Sequence, residues 1–231
     1  MKRFKAVYLV LAGLLVSGAM SVALASDNFG ELNVKAGLNL STKFKSELEL
    51  TNRELLFANL KPGVSFAGEY LILAEHLVSS LDFLKFGVGL KYLLPTKLKD
   101  NDLTLAVKLA KFSYLPIYFT LQINPFVKSN EEYLKGLFVK GDIGYSAYSS
   151  SNFKELLNNS PISTNIKDKG GLYYAFGAGY EFPCGLVFDI TYGIYKSSVE
   201  VSENMENMEK RDKINFTYSC VGLNVGYKFK I

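Results

Sequence analysis

Hydrophobic and polar residues alternate one for one at the end of the sequence. Val221, Leu223, Val225, Tyr227, Phe229 and Ile231 interleave with Cys220, Gly222, Asn224, Gly226, Lys228 and Lys230. A period of two places one set on each face of a β-strand. One face is continuously apolar and the other small or charged. In water, such an exposed terminal strand invites aggregation, whereas lipid is a suitable solvent for it.

The same alternation recurs along the chain and predicts eight strands. The first, 33–44, sets Val34, Ala36, Leu38, Leu40, Thr42 and Phe44 against Lys35, Gly37, Asn39, Ser41 and Lys43. The second, 63–73, opposes Val64, Phe66, Tyr70 and Ile72 to Ser65 and Glu69, and the third, 83–94, opposes Phe86, Val88, Leu90 and Tyr92 to Lys85, Gly87, Gly89 and Lys91. The fourth sets Ile117, Phe119, Leu121 and Ile123 against Tyr118, Thr120, Gln122 and Asn124. Its phase reaches back through Leu109 to Leu103, longer than the roughly 9–11 residues that cross a bilayer. Residues 103–110 therefore read as an extension beyond the membrane, and Pro116, which lacks a backbone donor, marks an irregularity. Strands at 137–148, 171–182, 186–196 and 214–231 complete the set. An even count suits a closed antiparallel barrel.

The connections are unequal. Pro183-Cys184-Gly185 is a tight turn, while 45–61, 149–170 and 197–213 are long polar stretches. With both termini in the periplasm, the long stretches fall on the outer side as loops. The shorter segments 74–82 and 127–136 then join the tight turn on the periplasmic side. Short periplasmic turns and long external loops are the rule in such barrels.

The amino terminus carries its own pattern. Lys2, Arg3 and Lys5 precede the apolar run from Ala6 to Val16, and Ala23-Leu24-Ala25 supplies a small-x-small site. We read 1–25 as a cleaved signal peptide and 26–231 as the barrel domain. Cleavage removes three positive charges, so the formal net charge falls from +4 to +1. Nucleic acid is not implied by so small a balance. The 48% hydrophobic content, with 15 Tyr and 17 Phe, has to face something, and the alternation says it does so from strands.

Most charged strand residues lie opposite the aromatics. They are Lys35, Glu69, Lys85, Lys91, Lys140, Asp142, Glu181, Asp189 and Lys228. In a transmembrane barrel they form a lumen-facing network, paired because an unpaired buried charge is costly. In a soluble lipocalin-like barrel the faces would be reversed, with charges in water and the apolar face around a ligand. Alternation alone fits both. Tyr and Phe near the strand ends, and glycines on the polar face where a narrow interior needs them, favour the membrane.

Several motifs now carry a resemblance: Gly68-Glu69-Tyr70, the run from Phe86 through Gly87 and Gly89 to Tyr92, Gly144-Tyr145 and Gly179-Tyr180. With the signal peptide, these make the chain similar to the small outer-membrane β-barrel proteins, the group containing OmpX, OmpW and the OmpA transmembrane domain. The resemblance implies an all-β, closed, eight-stranded antiparallel up-and-down transmembrane β-barrel in a bacterial outer membrane, with both termini periplasmic. It also implies that Val225, Tyr227, Phe229 and Ile231 form the signal read by the barrel assembly machinery, although that signal usually ends on Phe.

Candidate chemistry adds little to this reading. His76, the one histidine, falls in a periplasmic turn, away from the outer leaflet where enzymes of this fold class work, and reads as a solvated turn residue. Cys184 and Cys220 would lie roughly 25 Å apart along the barrel axis. A disulfide needs Cα atoms within about 7 Å, so both are expected as free thiols. No P-loop, nucleophile elbow or metal-ligand cluster occurs, so no catalytic, metal or cofactor site is expected. The expected role is a non-enzymatic, monomeric surface protein that presents loops for envelope structure, interaction or adhesion. Its partners would be outer-membrane lipid and lipopolysaccharide, the assembly machinery, and a host or surface ligand. The alternatives are a small passive pore or hydrophobic-solute channel, and a soluble periplasmic binding barrel.

Overall fold

A computed structural model describes residues 30–48, 53–97, 111–151, 164–205 and 208–231. Among them lie ten strands: β1 (Gly30–Leu48), β2 (Arg53–Leu60), β3 (Gly63–Leu73), β4 (Leu84–Lys97), β5 (Lys111–Ile123), β6 (Leu137–Ser151), β7 (Thr164–Lys169), β8 (Gly171–Glu181), β9 (Leu186–Met205) and β10 (Met208–Lys230). A 3-10 turn at Ala74–His76 and a short helix, α1 (Glu132–Lys135), lie in the connections. The sheet runs β1-β3-β4-β5-β6-β8-β9-β10 and closes by β1 pairing with β10, every ladder antiparallel. β2 continues the line of β3 along β1, and β7 continues β8 along β9. Eight strands therefore close the wall, and closure leaves no edge within the membrane.

The wall is inside out relative to a soluble protein. Val34, Leu38, Phe66, Ile143, Phe176, Ile190 and Phe229 are among the exposed large apolar side chains, whereas Lys35, Glu69, Asp142 and Asp189 are buried. A lipocalin-like barrel requires the reverse arrangement, so the soluble alternative fails. Lipid solvates the outer face, and the antiparallel ladders pair the backbone around the ring.

Three features differ from the sequence expectation. First, the polar stretches taken as outer loops hold strand where they are described: β1 runs on to Leu48, β2 occupies 53–60, β7 occupies 164–169, and β9 and β10 pair from Tyr227↔Leu186 out to Met208↔Met205. Beyond the membrane neither face need be apolar, so the period of two disappears while backbone pairing continues. Second, the β1–β10 register shifts between Leu40 and Lys43, so two residues of β1 oppose one of β10. This bulge reverses the parity: Leu40 faces out before it and Lys43 faces out after it, where strict alternation had put Lys43 on the inner face. Third, the β4–β5 register shifts beyond Leu93, while β5–β6 pairs unbroken through Pro116. The segment 103–110 and the expected signal peptide lie outside the described residues.

Candidate functional site

The lumen is filled in layers, because inward positions recur every second residue on each of the eight strands. At the end that holds the termini, four charged side chains make a closed ring. Lys85 Nζ lies 2.8 Å from Glu31 Oε2 and 2.8 Å from Glu181 Oε2. Lys228 Nζ lies 2.6 Å from Glu181 Oε2 and 3.3 Å from Glu31 Oε1. Gln122 Nε2 donates to the other Glu181 oxygen at 2.7 Å. Two lysines face two carboxylates drawn from β1, β4, β8 and β10, so this layer is neutral.

One step further in, Lys35 Nζ lies 2.7 Å from Glu69 Oε2 and 2.8 Å from Asp189 Oδ2. Lys140 Nζ lies 2.6 Å from Glu69 Oε1 and 3.4 Å from Asp142 Oδ2. The Tyr118 hydroxyl donates to Glu69 Oε1 at 2.9 Å, and the Asn224 amide donates to Asp189 and to Thr191. Lys91 is buried without an ion pair among the described residues, within the field of Lys140, Asp189 and Asp142. Counting it, three lysines meet three carboxylates, and the second layer is neutral too. Neutrality layer by layer avoids the cost of an uncompensated charge away from water.

Above the charges the filling becomes aromatic. The hydrogen-bonding row from Glu69 runs through Gly89, Tyr118, Gly144, Tyr173 and Tyr195 to Tyr218. Four tyrosines thus climb the wall on one row. Their rings touch in order, with centroids 5.3 Å apart for Tyr118–Tyr173, 4.8 Å for Tyr173–Tyr195 and 5.3 Å for Tyr195–Tyr218. Tyr114 of β5 meets Tyr218 of β10 at 5.1 Å and Tyr148 at 5.2 Å. β5 and β10 stand opposite each other in the ring of eight, so this contact spans the lumen. Such offset and tilted pairs are favoured aromatic geometries.

Two glycines on that row make the room. A Cβ on Gly89 would stand 2.4 Å from the Tyr118 ring, and one on Gly144 would stand 2.1 Å from the Ile117 carbonyl oxygen. The first glycine seats a ring flat against the wall, and the second lets β5 and β6 approach.

All nine charged residues singled out from the sequence are inward, Lys228 half-buried and the rest buried. The structure divides them between the two layers: Lys85, Glu181 and Lys228 in the first, and Lys35, Glu69, Lys91, Lys140, Asp142 and Asp189 in the second. Sequence reasoning missed Glu31, which lies before the expected start of the first strand; its odd phase with Asn33 and Lys35 was the available signal. It also missed the aromatic septum, since tyrosines near strand ends were assigned to an interfacial girdle. Tyr114, Tyr148, Tyr195 and Tyr218 instead lie on the same parity as inward neighbours such as Ser146, Ser197 and Cys220.

On the terminal strand, Val225, Tyr227 and Phe229 face out and Ile231 is half-buried. Cys184 is exposed and Cys220 buried, and both are free thiols. His76 lies in the exposed turn after β3. Among the described residues, no group of three or more His, Cys, Asp or Glu side chains is placed to hold a metal ion.

The outer membrane protein beta-barrel domain family matches residues 10–229. Solved structures to which the chain is similar include the outer membrane protein AlkL, at 15% identity and a TM-score of 0.49, with 89% of this chain and 94% of that one covered. Another is the outer membrane protein OprG from Pseudomonas aeruginosa, at 17% identity and a TM-score of 0.48, covering 89% and 99%. A third is Ail, the attachment invasion locus protein of Yersinia pestis, at 13% identity and a TM-score of 0.40, covering 87% and 99%. No curated protein matches the sequence.

Proposed function

The chain belongs to the outer membrane protein beta-barrel domain family, and from that premise we propose that it is a sealed, non-enzymatic scaffold holding extended β-structure outside the membrane for surface interaction. The observation that carries this reading is the contact between Tyr114 and Tyr218, which spans the lumen from opposite walls. A barrel of eight strands is filled by its own side chains, and here two ionic layers and an aromatic septum do the filling. Rigidity of this kind suits a mount for binding segments. The mount is tall: β9 and β10 run 20 and 23 residues, about twice what the bilayer needs.

In this reading both termini are periplasmic, and residues 1–25 are removed on export. Val225, Tyr227, Phe229 and Ile231 present the assembly signal from a strand whose apolar face lies outward. The nine inward charges serve as an internal brace, with no conducting or catalytic duty. The mature chain acts as a monomer in contact with outer-membrane lipid.

Conductance tests the proposal. The mature chain reconstituted in planar bilayers is expected to give no discrete current steps, and Tyr114→Ala is expected to introduce small ones by removing the ring that bridges the septum. Regular steps from the unmodified chain, altered by Lys91→Met or Glu69→Gln, would transfer the assignment to a passive pore.

A further inference from the structure

The outer wall is asymmetric at the height where its apolar belt stops. Past the β1 bulge, Lys43 faces out, opposite Ser219 of β10 and Asn59 of β2. Lys61 is exposed in the joint between β2 and β3, close beside it across the β1–β2 ladder. Lys196 faces out from β9, flanked by inward Tyr195 and Ser197, with β10 between it and β1. None of the three makes an ion pair among the described residues. On the opposite side of the barrel, the outward positions of β4 and β6 at this height are Tyr92, Leu94, Tyr145 and Ser149, none of them charged.

Below the lysines the same wall is apolar. A hollow of about 920 Å³ runs along the outer face, lined on these strands by Leu38, Val64, Phe188, Ile190 and Leu223 and continuing across β8 and β6 to the turn at Phe126. Leu40 and Ile194 lead from it up to the level of the lysines. An apolar hollow below three lysines that make no ion pair among the described residues has the polarity of one kind of ligand: an acyl chain below and an anionic headgroup above. Lysine is a strongly hydrated point charge suited to phosphate. Cations near a membrane surface also draw anionic headgroups.

We propose that Lys43, Lys61 and Lys196, above the hollow on the β9–β10–β1–β3 wall, form a binding site for a phosphate-bearing lipid whose acyl chains occupy the hollow. The site rests on the membrane-wall reading given above, and places its lipid in the outer leaflet if the termini are periplasmic. The bulge between Leu40 and Lys43 creates it, since without the parity switch Lys43 would point into the lumen.

The test uses the mature chain in phosphatidylcholine nanodiscs containing a minor fraction of bisphosphorylated lipid A, or of the same lipid with its phosphates removed. Lipids retained on the protein after release are counted by native mass spectrometry. The unmodified chain should retain the bisphosphorylated form well above its share of the bilayer, and the dephosphorylated form should show no such excess. The triple variant K43Q/K61Q/K196Q should lose the excess, by up to roughly five-fold per lysine at low salt. Lys230→Gln, which removes an exposed lysine at the other end of the barrel, should leave it intact. Equal retention of both lipids, an excess that survives in the triple variant, or one lost equally in Lys230→Gln would each overturn the site. Heat-dependent gel mobility checks that each variant is a folded barrel, and Lys43→Glu, a single exposed change, gives a second test of the same loss. A nanodisc offers both leaflets equally, so this result does not depend on orientation. Orientation is read separately, by labelling Lys167→Cys, an exposed position on β7 outside the site, in a Cys184→Ser background on intact cells, where absence of label refutes periplasmic termini and leaves the lipid site standing.

Discussion

The two ends of the lumen solve one packing problem with different chemistry. Near the termini the space is filled by lysines and carboxylates, all but Lys91 paired with one another at 2.6–3.4 Å among the described residues. At the other end it is filled by tyrosine rings stacked at about 5 Å. The ionic end holds together only as a set, since each carboxylate of Glu69 or Glu181 serves two lysines. The aromatic end is held by area, and each ring contributes its contacts largely independently of its hydroxyl. Damage should therefore spread through the first region and stay local in the second.

The sharpest way to break that contrast is at Glu69, which meets Lys35, Lys140 and Tyr118 together. Glu69→Gln should cost about 4 kcal/mol by leaving a net buried charge. Adding Lys140→Met restores neutrality and should recover most of the loss. Urea unfolding of the barrel in lipid vesicles, compared across the single and double variants, measures both numbers. A double variant no better than the single one would mean the layer is not organised by charge balance.

Tyr218→Ala is the corresponding lesion at the aromatic end. It removes a ring that touches Tyr114 and Tyr195 and should cost about 3 kcal/mol, the usual range for emptying a large aromatic site. No second substitution of opposite sign should rescue it; only a bulky apolar replacement, Tyr218→Phe, should restore stability in the same unfolding assay.

The smallest effect sharpens the comparison through hydroxyl groups alone. Tyr118 sits where the two regions meet and donates to a carboxylate, so Tyr118→Phe should cost about 2 kcal/mol, as for hydrogen bonds to charged groups. The Tyr195 hydroxyl is buried and has no hydrogen-bond partner among the described residues. Tyr195→Phe should then fall within about 0.5 kcal/mol of the parent. Equal costs for the two would show that position on the tyrosine row, rather than bonding to the ionic layer, sets the energy.

The barrel was legible in the sequence because lipid on one side and a narrow lumen on the other impose opposite demands on alternate residues. Where both demands act, as along Val34–Leu40 and Ile117–Asn124, parity identified each inward side chain. Where one demand lapses, legibility goes with it. β2 and β7 lie outside the lipid, so their residues carry no alternation, and they read as loops. Tyrosine is acceptable on either face, with a ring for lipid and a hydroxyl for the lumen, so composition could not decide where Tyr114, Tyr195 and Tyr218 point. The bulge after Leu40 has no marker residue in the sequence, and a single slip there moves Lys43 from one face to the other. Glu31 was recoverable, since it continues a phase already recognised.

At the seam of the barrel, Gly30 and Ile231 exchange backbone hydrogen bonds, N to O in both directions, at 3.1 and 2.9 Å. The first described strand and the last are thus each other's partners, while every other ladder joins strands close in sequence. In time rather than space, closure waits on two strands far apart in sequence. Until β10 has been synthesised and exported, β1 has an open edge and the wall is a curled ribbon that cannot seal itself. A long-range pairing of this kind is slow to form, and an unpaired edge with an apolar face aggregates while it waits. The β1 edge is thus the exposed point of the wall until β10 pairs with it.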